Sequence, residues 1–175
     1  VWVVNVGRCP VYLIDANLTS NEQHFRDLTK CVYGGDNSTR IMQEILLGVG
    51  GVRLLRRLGV APSVFHMNEG HALPAAFELL DEHEGNLEAV KERLVFTTHT
   101  PVPAGHDVFE FERVRKVIGD EYTNFCSDFA SNGKLSMSHL AINVSQTCNA
   151  VSKLNAKVAS DMFPTKKIVP ITNGV

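Results

Sequence analysis

Short runs of β-branched and apolar residues alternate along this chain with longer stretches of helical periodicity. That alternation is the feature that most narrows its fold, because it calls for an α/β arrangement with parallel strand pairing. Strands are expected at residues 1–6 and 11–15, flanking a tight turn at 7–10, and again at 63–67, 94–98, 150–152 and in the last residues. A polar stretch spans 17–30, and a glycine turn covers Tyr33-Gly34-Gly35-Asp36-Asn37. Asn37 or Ser38 is expected to cap a helix running to about Leu58, with Ile41, Ile45, Val52 and Leu55 on one face and Gly48 between them. Further helices are expected at 71–83, 87–93, 110–118, 138–146 and 153–163. The fold class is therefore α/β, a Rossmann-like parallel sheet flanked by helices.

Composition narrows the function classes. The 175 residues are 44% hydrophobic and 21% charged, the balance of a globular chain large enough for one α/β domain. Lys plus Arg number 17 against 19 Asp plus Glu, a net −2, so no basic field exists for nucleic acid or an anionic membrane. Cys9, Cys31, Cys126 and Cys148 form no CxxC pair, which fits a reduced, cytoplasmic setting. The longest nearly apolar run, 45–52, is interrupted by Gly48, Gly50 and Gly51 and is far shorter than the ~20 residues of a membrane span. Both ends read as interrupted strands, so the expectation is an excised piece of a longer enzyme.

Two expected strands end in polar loops. Val64-Phe65-His66-Met67 runs into Asn68-Glu69-Gly70-His71, and Val95-Phe96-Thr97-Thr98 runs into a loop from His99 to His106 and Asp107. In an open parallel sheet, ligands bind at the carboxyl ends of strands. If these two strands are parallel neighbours, one crevice gathers Asn68, Glu69, His71, His99, His106 and Asp107. Such neutral and acidic hydrogen-bonding groups suit an uncharged polyhydroxylated ligand, and a sugar is the natural choice.

Plainer readings stand beside this one. Asn37, Asn68 and Asp107 serve equally well as caps or turn formers. A zinc site from His66, Glu69 and His71 lacks the usual helical ligand spacing. The glycines at 48, 50 and 51 suggest either a phosphate loop or close helix packing; they follow a helical pattern and lack the Lys-Ser/Thr of a phosphate-binding loop. No Gly-x-Ser-x-Gly elbow supports a nucleophilic serine.

Four segments in order resemble the α-glucan phosphorylases of the short bacterial and archaeal type, related to glycogen and maltodextrin phosphorylases. They are Tyr33-Gly34-Gly35-Asp36 with Arg40-Ile41-Met42-Gln43-Glu44-Ile45-Leu46-Leu47-Gly48-Val49-Gly50-Gly51-Val52-Arg53, His66-Met67-Asn68-Glu69-Gly70-His71-Ala72, Phe96-Thr97-Thr98-His99-Thr100-Pro101-Val102-Pro103-Ala104-Gly105-His106-Asp107, and Ile171-Thr172-Asn173-Gly174-Val175. The resemblance implies the later part of the N-terminal domain of a two-domain glycosyltransferase fold of the B type (GT-B). It also implies release of α-glucose 1-phosphate from α-1,4-glucan or maltooligosaccharide by inorganic phosphate. Pyridoxal phosphate would be the cofactor, held by a C-terminal domain outside this chain, so the piece alone is expected to be inactive. By motif, His99 would bind a glucose hydroxyl and aim its backbone carbonyl at the developing positive charge, with Glu69 the acidic residue near the reacting sugar. Asn68, His71, His106 and Asp107 would be sugar-contacting neighbours, and Asp36 and Asn37 would belong to a gating loop. Asn155 stands where the family usually has His. The segments at 66–72 and 97–99 also resemble the glycogen and starch synthases, which use a nucleotide sugar. A non-catalytic carbohydrate-binding module is the third possibility.

Overall fold

The computed structural model describes residues 1–32, 35–164 and 166–174. An antiparallel hairpin comes first, β1 (Trp2–Val6) with β2 (Cys9–Leu13). Val6 faces Cys9, so Gly7 and Arg8 alone make the turn, and Gly7 supplies the left-handed backbone at φ 62° that so short a connection needs. The polar stretch that follows holds one short helix, α1 (Gln23–Arg26), and a 3-10 turn at Asp27–Thr29. Tyr33 and Gly34 of the expected glycine turn lie outside the described residues.

The long helix α2 (Asn37–Arg57) is capped by Asp36, one residue before the expected cap. Asp36 has extended backbone, and its carboxylate accepts the Thr39 N–H at 2.9 Å and the Thr39 hydroxyl at 3.0 Å, satisfying a donor that the first turn leaves open. The buried face of α2 is Ile41, Glu44, Gly48 and Val52. Ile45 and Leu55, expected in that stripe, are partly buried at its flank. Glu44 is an acidic residue on this otherwise apolar face.

The central sheet runs β3 (Phe65–Asn68), β4 (Leu94–Thr98), β7 (Thr147–Ala150), β8 (Ile168–Pro170), with every neighbour parallel. Between β3 and β4 come a 3-10 turn at Gly70–Ala72, α3 (Ala75–Glu82) and α4 (Leu87–Lys91). The expected helix from His71 starts only at Ala75, because Pro74 lacks an N–H and sits at the helix start, where none is needed. After β4 and a 3-10 turn at Pro103–Gly105 come β5 (Val108–Glu110), α5 (Phe111–Ile118), α6 (Asp120–Ser127), β6 (Lys134–Ser136) and α7 (Met137–Val144). The antiparallel β5–β6 pair and α6 were not expected from the sequence. Strand β7 lies three residues before the expected 150–152, with Cys148 and Ala150 buried, and α8 (Lys153–Met162) leads to β8.

Phe65, Met67, Leu94 and Phe96 from the strands share one core with Leu79, Leu140, Ile142 and Val144 from the helices. Each such side chain contributes about 1.5–3 kcal/mol by leaving water. Helices α2 and α3 approach until their backbones nearly touch. A Cβ on Gly48 would stand 2.4 Å from the Ala75 nitrogen, whereas one on Gly51 meets nothing within 4 Å. Gly48 is therefore a packing glycine. All three glycines sit inside α2, whose amides are engaged in the helix, and that removes the phosphate-loop reading.

Replacing Gly48 with Ala should destabilise the fold by about 1–3 kcal/mol through overpacking. Gly51→Ala should stabilise it by about 0.5–1 kcal/mol through helix propensity. Urea unfolding of both variants measures the two signs side by side.

Candidate active site

Strands β3 and β4 are parallel neighbours with Asn68 opposite Thr97, so their following loops meet at one sheet edge, as the sequence reading required. The ladder continues one step further, the Glu69 N–H donating to the Thr97 carbonyl at 2.9 Å. There the backbone breaks direction: Glu69 adopts φ 63° and ψ 177°, a conformation that costs a residue with a side chain about 1–3 kcal/mol. Its carboxylate accounts for the tolerance. Glu69 Oε1 accepts the backbone N–H of His99 at 2.5 Å, the N–H of Thr100 at 2.9 Å and the Thr100 hydroxyl at 3.0 Å. Thr98 Oγ1 donates to the other oxygen at 3.5 Å. Hydrogen bonds to a charged group contribute about 1.5–3 kcal/mol each, so the two amide bonds outweigh the strain.

His99 is thereby gripped through its backbone while its imidazole stays exposed. On the far side of the same residue, the Asn155 side-chain amide donates to the His99 carbonyl at 3.0 Å. Asn155 reaches it because β7 lies beside β4 and α8 begins just after β7.

The other end of the 99–107 loop is tied to α2. Asp107 Oδ2 lies 3.0 Å from His71 Nδ1 and accepts from the Arg40 guanidinium at 3.1 Å. The His71 hydrogen bond, with help from Glu44 and Arg40, holds the Asp107 carboxyl down to about 2. Glu44, only 2% exposed, has no hydrogen-bond partner on either oxygen among the described residues, and the Arg40 guanidinium stands 3.8 Å from its Oε1. Burial, and then the neighbouring Asp107 charge, push its carboxyl up to about 9. A proton retained on Glu44 makes it the donor that Asp107 lacks on that side. This is why a glutamate occupies the apolar face of α2, and a helical stripe in sequence gives no hint of it.

The remaining site residues fall into separate places. Asn68 is exposed at the end of β3. Asp36 caps α2 one turn before Arg40, and Asn37 is the first residue of that helix. His106 turns inward beneath the loop, 9% exposed, its Nδ1 2.8 Å from Ser138 Oγ and its ring edge-on to Phe163 at 5.4 Å. His66 Nε2 lies 2.5 Å from Thr97 Oγ1, which itself donates to Asn149 Oδ1 at 2.7 Å, so His66 is the donor in that pair.

His66, Glu69 and His71 thus belong to three different networks, and the zinc reading of that trio fails. Glu44, His71 and Asp107 do bring ligand atoms within 4.8 Å of one another, yet the Arg40 guanidinium already holds the cation's place on Asp107. Cys126 and Cys148 are buried with thiols pushed up to about 12 and about 11, which leaves neither a ready nucleophile. A cavity of about 830 Å³ lies between β2, α2 and the outer edge of β3. Arg40, Glu44 and His71 line it, whereas Glu69 and His99 do not.

A family model described as Starch synthase catalytic domain matches residues 1–163. The chain is 41% identical over 175 residues to the maltodextrin phosphorylase of Thermococcus litoralis, a match covering 91% of this chain and 21% of that protein. It is 37% identical over 191 residues to the glycogen phosphorylase of Mycobacterium tuberculosis, covering 93% and 22%. The chain thus spans about a fifth of the length of these curated relatives. Among solved structures, the catalytic domain of starch synthase IV from Arabidopsis thaliana, bound to ADP and acarbose, superposes with a TM-score of 0.69 at 19% identity, covering 99% of this chain and 36% of that one. That likeness concerns fold, and the fold is the α/β arrangement of a GT-B glycosyltransferase catalytic domain.

The carboxyl pair predicts a pH dependence. Folded Glu44 holds a proton that the unfolded chain releases above about 4.5, so stability should fall as pH rises from 4.5 toward 9. Asp107 has the opposite sign, its contribution being full above 3.8 and lost as pH falls toward 2. Glu44→Gln retains an N–H donor and has no proton to lose. Its stability relative to the wild type should therefore rise between about pH 5 and about pH 8.5, by at most about 1.4 kcal/mol per pH unit, in urea midpoints taken across that range.

Proposed function

This chain belongs to the starch synthase catalytic-domain family, and from that premise we propose that it forms the glucose-binding side of the cleft of an α-glucan phosphorylase. The enzyme would use inorganic phosphate to release α-glucose 1-phosphate from the ends of α-1,4-glucan or maltooligosaccharide. The single observation that carries this reading is the fixed backbone of His99, gripped at its N–H by Glu69 while its imidazole stays open at the sheet edge. The 37–41% identity to phosphorylases favours phosphorolysis over transfer from a nucleotide sugar.

Cleavage of a glycosidic bond passes through an oxocarbenium-like state in which positive charge grows at the ring. Groups that stabilise it are preorganised dipoles or anions that need not move when the charge appears. The His99 carbonyl is such a dipole, and the Glu69 carboxylate adds negative charge behind it. The exposed His99 imidazole binds a sugar hydroxyl, with Asn68, His71 and Asp107 available to neighbouring hydroxyls. His106 acts from beneath by bracing the loop through Ser138, and Asp36 and Asn37 place the entrance of α2.

Pyridoxal phosphate supplies its phosphate group to catalysis in phosphorylases, and the residues described here do not fit it. Glu69 and Asp107 would repel a phosphate, and the glycine amides of α2 are already bonded within the helix. We assign the cofactor and the inorganic phosphate to parts of the enzyme outside these 175 residues, in keeping with the chain forming one α/β domain within the N-terminal half. A cytoplasmic setting goes with this reading. Among the described residues, no helix is long and apolar enough to cross a membrane.

A synthase-type reaction is the second reading, favoured by the family description and by the starch synthase neighbour. Whole enzyme incubated with maltooligosaccharide and phosphate should yield glucose 1-phosphate; glucosyl transfer from a nucleotide sugar instead would select the synthase. Binding without either product would select a carbohydrate-binding module. In the whole enzyme, His99→Ala and Glu69→Gln should each lower kcat by at least ~100-fold, about 2.7 kcal/mol of transition-state stabilisation; the melting temperature should change little in His99→Ala and fall in Glu69→Gln, whose two amide bonds lose their charge. Gln at position 69 keeps the acceptor oxygen and loses the charge, so wild-type turnover in that variant would deny the charge any role.

A further inference from the structure

One contact at the carboxyl edge of the sheet is not explained by helix formation or by packing. Asn155 is the third residue of α8, where the Ser152 hydroxyl accepts its backbone N–H at 3.1 Å. A Glu or Gln at this position can fold back on the backbone N–H of the cap residue. Asn155 instead sends its amide to the carbonyl of His99, 56 residues away. The choice has a cost, because Asn155 is 8% exposed and its own Oδ1 is buried with no partner among the described residues. Rotating the amide would bring two carbonyl oxygens together, so the donor orientation is fixed by His99.

We propose that Asn155 is a positioning residue that sets the direction of the His99 carbonyl in the cleft. The inference rests on the phosphorolytic reading for its effect on rate, and on geometry alone for its effect on the loop. With Glu69 on the N–H and Asn155 on the C=O, both peptide groups flanking His99 are held from outside the loop. A carbonyl oxygen has two lone pairs, and Asn155 engages one, leaving the other for the sugar. Its amide also polarises the C=O without placing a cation beside the positive charge that develops in the reaction.

The test uses the whole enzyme with maltoheptaose and inorganic phosphate, together with hydrogen exchange at the His99 and Thr100 amides. Asn155→Asp sets an acceptor against the carbonyl. It should lower kcat between about 10- and 100-fold, leave KM for maltoheptaose within about threefold, and speed exchange at both amides. Asn155→His returns an N–H donor and should restore kcat and slow exchange. Asn155→Ala serves the same purpose if the Asp variant fails to fold. Unchanged kcat together with unchanged exchange in Asn155→Asp or Asn155→Ala overturns the proposal, as does a loss that Asn155→His leaves uncorrected. Failure of the wild type to release glucose 1-phosphate sinks the phosphorolytic reading alone, and amide exchange then decides Asn155 by itself.

Discussion

The carboxylate of Glu69 joins the ends of two parallel strands, and the rest of the site depends on it. Residues 69 and 99 are thirty positions apart in sequence and adjacent in space only because β3 and β4 pair in parallel. Hydrogen bonds from two consecutive amides turn the start of the 99–107 loop into a defined surface. They also hold Glu69 in a backbone conformation that a side-chain-bearing residue rarely accepts. Strain and grip belong to the same device: without the kink the carboxylate would follow the strand direction and miss the loop.

The far end of that loop is held by a different kind of force. Asp107 takes hydrogen bonds from Arg40 and lies against His71, and buried Glu44 completes the group by staying protonated. Between the two anchors, Gly105 allows a close approach, since a Cβ there would stand 2.4 Å from the Thr100 side chain. The loop is thus fixed at both ends and folded tightly on itself, with the exposed His99 imidazole standing on a backbone that is held in place.

Much of the fold was legible because the signals are local. Strand 94–98 follows from its β-branched run, α8 was expected at 153–163 and ends one residue earlier, and the long helix follows from its apolar stripe; Ser152, expected in a strand, caps α8 instead. What escaped was non-local or finely balanced. The β5–β6 pair has three residues per strand and needs the partner strand to exist at all. The delay of α3 to Ala75 depends on which side of Pro74 the chain commits to helix. Within the site, the sequence placed Asn68, Glu69, His71, His99, His106 and Asp107 on one edge through strand polarity. It did not reveal that Glu69 faces the loop, that His106 turns beneath it, or that Glu44 is buried.

The order of residues alone determined the alternating α/β plan and the two polar loops at the ends of neighbouring strands, because periodicity and turn chemistry act over a few residues. It also carried the family likeness. Tertiary structure decided which polar groups stay exposed at the sheet edge and which are internal ties. The direction of a carboxylate or an amide is set by partners far away in the chain, Glu69 by the His99 and Thr100 amides, Glu44 by Asp107, and Asn155 by the His99 carbonyl in the loop after β4. Those choices are settled by burial, which makes an unpaired polar group costly, and burial exists only once the sheet and its helices have closed on one another.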